Sequence, residues 1–114
     1  MDHKKSGFRI LAECDHGYIG ICDCCREFNF AYKNILLTFQ EDEMCRFFDW
    51  VILKQNCPKH MMPLHNGRDR VFSSPNSNLF LAFHHKELDE ILLMYNETRL
   101  ILEAERLLLT NRMN

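Results

Sequence analysis

Glycine is scarce. The 114 residues contain four, too little material for the glycine-rich loop that cradles phosphate. No nucleophile elbow and no HExxH pair is present either. Positive charge is not in surplus: 14 Lys and Arg against 16 Asp and Glu leave a formal net charge of -2. A chain that grips nucleic acid normally carries a basic face. Two segments lean basic, His3-Lys4-Lys5 and Lys54 to Arg70, and both read as solvated loops, so nucleic acid is not the expected partner. No run approaches the roughly 20 apolar residues of a membrane span. Arg9, Glu13 and Asp15 interrupt the stretch after Lys4-Lys5, so a secretory leader is not expected.

What remains is an ordinary globular balance, 46% hydrophobic and 26% charged, which points away from disorder, collagen-like repeats and coiled coil. The length suits a single domain over 1–114, and the expected location is cytoplasmic. Six cysteines and six histidines are the unusual part. Thiols stay reduced in the cytosol. The cysteines therefore read as metal ligands, reactive thiols or small buried hydrophobes, not as a disulfide framework.

Residues 1–12 read as a weakly ordered arm. Tyr18 to Cys22 reads as a short strand, and Glu27 to Tyr32 alternates with Phe28, Phe30 and Tyr32 on one face. Lys33-Asn34 is a tight turn, with Asn34 the residue that tolerates a left-handed backbone. Ile35 to Phe39 returns, and Glu41 to Lys54 carries the helical stripe Met44, Phe47, Phe48 and Val51. Residues 56–69 hold Pro58, Pro63 and Gly67 and form a long loop. Arg70 to Ser73 and Leu79 to Phe83 are strands around a Ser74–Ser77 turn. A helix follows from about Lys86 with Leu88, Ile91, Leu92 and Tyr95 on one face. The stripe then changes phase to Ile101, Ala104, Leu107 and Leu108, which implies a break near Asn96–Thr98 or a long helix with two contact faces.

The halves resemble each other. Asn34 to Met44 aligns without gaps on Asn78 to Leu88, with Asn, Leu, Phe and Glu coinciding. In each, a Glu three residues after the helix cap, Glu43 or Glu87, can reach back as in a capping box. The expectation is an α+β fold: an antiparallel sheet built from two hairpin–helix repeats, 14–55 and 70–112, with the helices packed on one face.

Cys22 and Cys25 form a C-x-x-C pair at a hairpin turn, where two thiolates can converge on one zinc ion. Candidate partners fall into two groups by strand and helix length. Cys24 and Cys45 belong to the same end, and Cys14, His16, Cys57 and His60 to the opposite one. A fold-back at Gly17 or Gly20 would instead bring Cys14 to Cys22 and Cys25. Zinc is the candidate cofactor. A redox role for the pair would need a helix N-terminus to lower a thiol pKa, whereas Arg26-Glu27-Phe28 continues as a strand. His84-His85 stands at a strand-to-helix junction and reads first as a solvated helix start. Trp50 reads as core.

Cys14-x-x-Gly17-Tyr18, Cys22-x-x-Cys25, the Phe28/Phe30 strand, Asn34, Phe39, Glu43 and Leu81-x-Phe83-x-x-x-Glu87-Leu88 together resemble a small family of uncharacterised bacterial proteins, over roughly residues 14–110. Cys24 inside the C-x-x-C and His16 depart from its pattern. The resemblance implies the domain architecture and marks Cys14, Cys22 and Cys25, but it brings no reaction. The functional expectation is a binding or regulatory module, zinc-stabilised, that contacts a protein partner or a second copy through surplus apolar residues between 91 and 109. No catalytic residue is assigned. The alternative is a small thiol- or histidine-dependent enzyme using Cys22/Cys25 or His84/His85.

Overall fold

The computed structural model describes residues 7–76 and 78–113, without the side chains of 112 and 113. Residues 1–6, with the basic His3-Lys4-Lys5, and Ser77 of the expected turn lie outside the described residues. The chain is α+β with antiparallel strands, in the order β1 (Phe8–Cys14), β2 (Gly17–Cys22), β3 (Glu27–Tyr32), β4 (Ile35–Phe39), α1 (Glu41–Lys54), a single 3-10 turn at Pro58–His60, β5 (Arg70–Ser73), β6 (Phe80–Phe83) and α2 (His85–Met113). The strands divide between two sheets, a four-stranded meander β1-β2-β3-β4 and the hairpin β5-β6. Two compact units result. One takes the described parts of Met1–Glu41 and Leu93–Asn114, the other Asp42–Leu92. This partition differs from the expected pair of hairpin–helix units, because nearly all of α1 belongs with β5-β6.

In the first unit, alternation on β3 and β4 does what the sequence pattern requires. Phe28, Phe30, Tyr32, Leu37 and Phe39 are buried, and Phe28 faces Phe39 across the pair, as Tyr32 faces Ile35. The two-residue turn between these strands puts the left-handed backbone at Lys33 (φ 53°) and not at Asn34.

Strand β1 replaces the outer part of the expected arm, with residues 8–12 paired to β2. Its sequence FRILAEC does not alternate, and the register shows why: it shifts between Ile10 and Ala12, leaving Leu11 as the extra residue of a bulge. A bulge lets consecutive side chains turn the same way, and Leu11 and Ala12 are both buried. The Phe8 ring covers Gly20 on the neighbouring strand and meets Tyr18 edge-on at 6.0 Å.

The later part of α2 completes this unit. Met94, Tyr95, Thr98 and Leu102 are buried, Arg9 of β1 donates to Glu105 at 2.8 Å, and Arg106 pairs with Glu41. The helix is continuous, the long-helix alternative and not the break near Asn96–Thr98. Thr98 is wholly buried, and its hydroxyl donates to the Met94 carbonyl one turn back at 2.9 Å, which satisfies it without interrupting the helix. The buried face therefore runs on in phase from Leu88 through Ile91, Tyr95 and Thr98 to Leu102. The expected second face is not buried: Ala104 is exposed, and Leu107 and Leu108 are 59% and 60% exposed.

In the second unit, α1 has the anticipated limits and buries Met44, Phe47, Phe48 and Val51. Trp50 belongs to an aromatic cluster, 5.7 Å from Phe72 and 5.2 Å from His60. His60 in turn stacks on Phe72 at 5.0 Å. The α2 start carries the capping box, with the His84 amide donating to Glu87 Oε1 at 2.8 Å. Arg68 donates to both Glu87 oxygens, at 2.9 and 3.0 Å, and so ties the long loop to the helix.

Gly17 exposes how tightly the meander is closed. A Cβ there would meet the Ala31 carbonyl group, with the carbonyl carbon at 2.8 Å, and backbone of a paired strand cannot swing aside. Gly17→Ala should lose about 2–3 kcal/mol of unfolding free energy. Gly67→Ala, where a Cβ meets nothing within 4 Å but φ is +85°, should lose about 1 kcal/mol. Urea denaturation of the two variants compares them, and equal losses would contradict the contact.

Candidate metal centre

The antiparallel register of β2 and β3 sets Cys22 opposite Glu27, which leaves Asp23, Cys24, Cys25 and Arg26 to turn the chain. Arg26 closes the turn. Its amide donates to the Cys22 carbonyl at 2.6 Å, from a left-handed backbone at φ 58°. The Asp23 amide donates to the Gly7 carbonyl at 3.1 Å. The Asp23 carboxylate accepts two bonds from Arg9, at 2.7 and 3.0 Å, and pairs with Arg26 at 3.5 Å. Exposed pairs like these contribute little stability. Their role is geometric, because they hold the residue between Cys22 and Cys24 in place.

Three sulfurs converge on this turn. The Sγ atoms of Cys22, Cys24 and Cys25 all lie within 4.8 Å of one another, with Cys22 buried and the other two exposed. With zinc–thiolate bonds of about 2.3 Å, sulfurs on one tetrahedral ion stand about 3.8 Å apart. Small side-chain adjustments bring thiols that all lie within 4.8 Å of one another to that spacing, and the group can hold a metal ion. Thiolate donors suit zinc and other thiophilic ions.

The Cys22 and Cys24 sulfurs stand 3.1 Å apart. A hydrogen bond from the Cys24 thiol favours the Cys22 thiolate, and further bonds from the Cys25 and Cys24 amides and the Cys25 thiol outweigh its burial. Together they bring the Cys22 pKa down to about 6. Cys24 moves the other way, up to about 11, because it is the donor in that bond and its own charge would face Cys22 and Cys25. Close thiols split their titrations in this manner. One thiolate is therefore ready near neutral pH without a helix N-terminus.

Among the described residues this is the one group of three or more metal-ligating side chains brought so close. It unites Cys22 and Cys25 with Cys24, the residue that interrupts the C-x-x-C. The remaining candidates stand elsewhere. Cys14 pairs with Gly17 across the β1–β2 turn, and Phe8, not Cys14, lies beside Cys22, so no fold-back at Gly17 or Gly20 brings Cys14 to the pair. His16 is in that same β1–β2 turn and meets the Tyr32 ring at 6.0 Å. Cys45 is on α1, and Cys57 precedes the 3-10 turn. His60 is engaged by its aromatic neighbours and by the Val71 carbonyl, 3.2 Å from Nδ1.

His84 works as a helix cap, its Nδ1 accepting from the Lys86 amide at 3.3 Å. Of the basic stretch, Arg68 is committed to Glu87, and Arg70 to Asp69 at 2.9 Å and to the Gln55 carbonyl. The sequence pattern does not single out Arg9 or Asp23 as supports of the site. The signal it does hold is an acidic residue inside a cysteine turn.

The split titration has a direct readout. Removing the donor with Cys24→Ala should raise the Cys22 pKa toward an ordinary thiol value. In the native protein, alkylation of Cys22 should climb through about pH 6 and level off by neutrality. In the variant the climb should shift to more alkaline pH. Mass-spectrometric alkylation rates across pH check this, and superimposable profiles would refute the hydrogen-bond assignment.

No curated protein and no solved structure matches this chain. Over residues 4–111, nearly its whole length, it matches the family described as Family of unknown function (DUF6686), and it belongs to that family.

Proposed function

We propose that this protein is a small binding module of the cytoplasm whose β2–β3 turn takes up a thiophilic metal ion, zinc first, through Cys22, Cys24 and Cys25. The observation that carries the reading is the convergence of three Sγ atoms within 4.8 Å on a turn fixed by its own backbone bonds. Thiolates are the charged form a metal requires, and the lowered Cys22 pKa favours one of them. Three thiolates leave one position of a tetrahedral ion for water or a donor from elsewhere. The enzyme alternative draws less from the geometry. His84 is occupied as a cap, and the cavity along α1, about 400 Å³, is lined by Glu43, Arg46, Phe47, Trp50 and Ser73 to Pro75, with no cysteine or histidine among them.

Competition against a chromophoric zinc indicator tests the metal reading. The reduced full-length chain should bind one equivalent. Cys22→Ser should weaken binding by more than the roughly 10- to 100-fold that changes outside the ligand set cost, while Cys57→Ser leaves it unchanged. Equal binding by all three proteins, or none by the native chain, would sink it.

A second reading adds a protein contact on α2. Leu93, Leu100 and Leu107 recur every seven residues and are 60%, 71% and 59% exposed. This is a row of exposed leucines along one side of the helix and not a full heptad seam. Exposed apolar rows mark contact surfaces, and the occupant in this reading is a second copy of this chain. Light scattering should report a dimer that Leu100→Glu converts to monomer. A native chain that stays monomeric at high concentration would rule the pairing out.

A further inference from the structure

We propose that Cys22 and Cys24 form a peroxide-sensitive pair, closing a disulfide within the β2–β3 turn that dismantles the three-thiol group and expels its metal ion. The second half rests on the metal reading above, and the first does not.

Proximity carries the argument. The two sulfurs are 3.1 Å apart and in hydrogen-bond contact. A disulfide bond is about 2.05 Å long, so the pair must close by only about 1 Å. The residue between them is held while they do so, since both Asp23 carboxylate oxygens are bonded to Arg9 and its amide to Gly7. Access is open, because Cys24 is exposed.

The chemistry balances with a hydroperoxide as the named oxidant. One thiolate of the pair attacks a peroxide oxygen, the O–O bond breaks, and a sulfenic acid and hydroxide form. The second thiolate then attacks the sulfenic sulfur, the S–O bond breaks, and hydroxide leaves as the S–S bond forms. Two thiols and one hydrogen peroxide become one disulfide and two waters. Two of the three sulfurs are then lost as ligands, and Cys25 alone cannot hold the ion.

Dilute hydrogen peroxide on the reduced, metal-free full chain tests the first half. Two alkylatable thiols should disappear with a mass loss of about 2 Da and no gain of oxygen. A protease that cuts before Asp23 should leave fragments joined until reductant is added. Cys25→Ser should keep the bond, while Cys24→Ser should lose it and accumulate oxygen on the remaining turn thiols. A bond that persists in Cys24→Ser, direct formation of sulfinic acid in the native chain, or turn thiols no faster than Cys57 would each overturn the pairing.

Zinc-loaded protein tests the second half. An indicator should register one equivalent released per disulfide formed, and retention of zinc by the disulfide form would overturn the gating. A chain that never binds zinc yet forms the mapped disulfide would refute the metal reading and leave the thiol pair standing.

Discussion

The pairing of β2 with β3 is the constraint on which the rest depends. Side chains alternate along a strand, so a slip of one residue would turn Phe28, Phe30 and Tyr32 from the interior to the surface. Burial of these three aromatics holds the register. The register in turn sets Cys22 against Glu27 and decides which four residues must turn. The thiol group is a consequence of how the aromatic core pairs.

The turn then concentrates donors on one sulfur. Backbone amides that a turn leaves unused are directed at Cys22, and the Cys24 thiol adds another bond. Hydrogen bonding to the charged form outweighs the burial of Cys22, which alone would push its pKa up. The supports come from elsewhere in the same unit. Arg9 reaches Asp23 from β1 and also Glu105 from α2, so a strand and a helix both steady the loop between the cysteines. Each exposed contact is weak, and together they restrict where the turn can go.

Strong periodicity is legible in the sequence alone. The alternation of β3 and β4 and the stripe of α1 mark elements at the observed positions, and Glu87 forms the capping bond its spacing suggests. What escapes is set by contacts distant in sequence. The bulge at Leu11 destroys alternation locally, so β1 reads as an arm. The phase change near Asn96–Thr98 leaves a break and a long helix both open, and α2 runs through, with the Thr98 hydroxyl bonded to the Met94 carbonyl. The apolar residues after Ile101 suggest a second buried face, although the interior is already met in phase by Leu102. Strand pattern alone does not say that β5 and β6 pair as a sheet of their own.

By itself, the sequence determined the α+β class, most strand and helix limits, and Cys22 with Cys25 as a turn pair, because these follow from local period and short spacing. Only the tertiary structure decided between the groupings that spacing left open, bringing Cys24 to Cys22 and Cys25 and leaving Cys14 at the far end of its hairpin, and only it showed Arg9 and Asp23 bracing the turn. Side-chain convergence depends on strand register and turn backbone. Those are fixed by burying aromatics far along the chain, which no local spacing encodes.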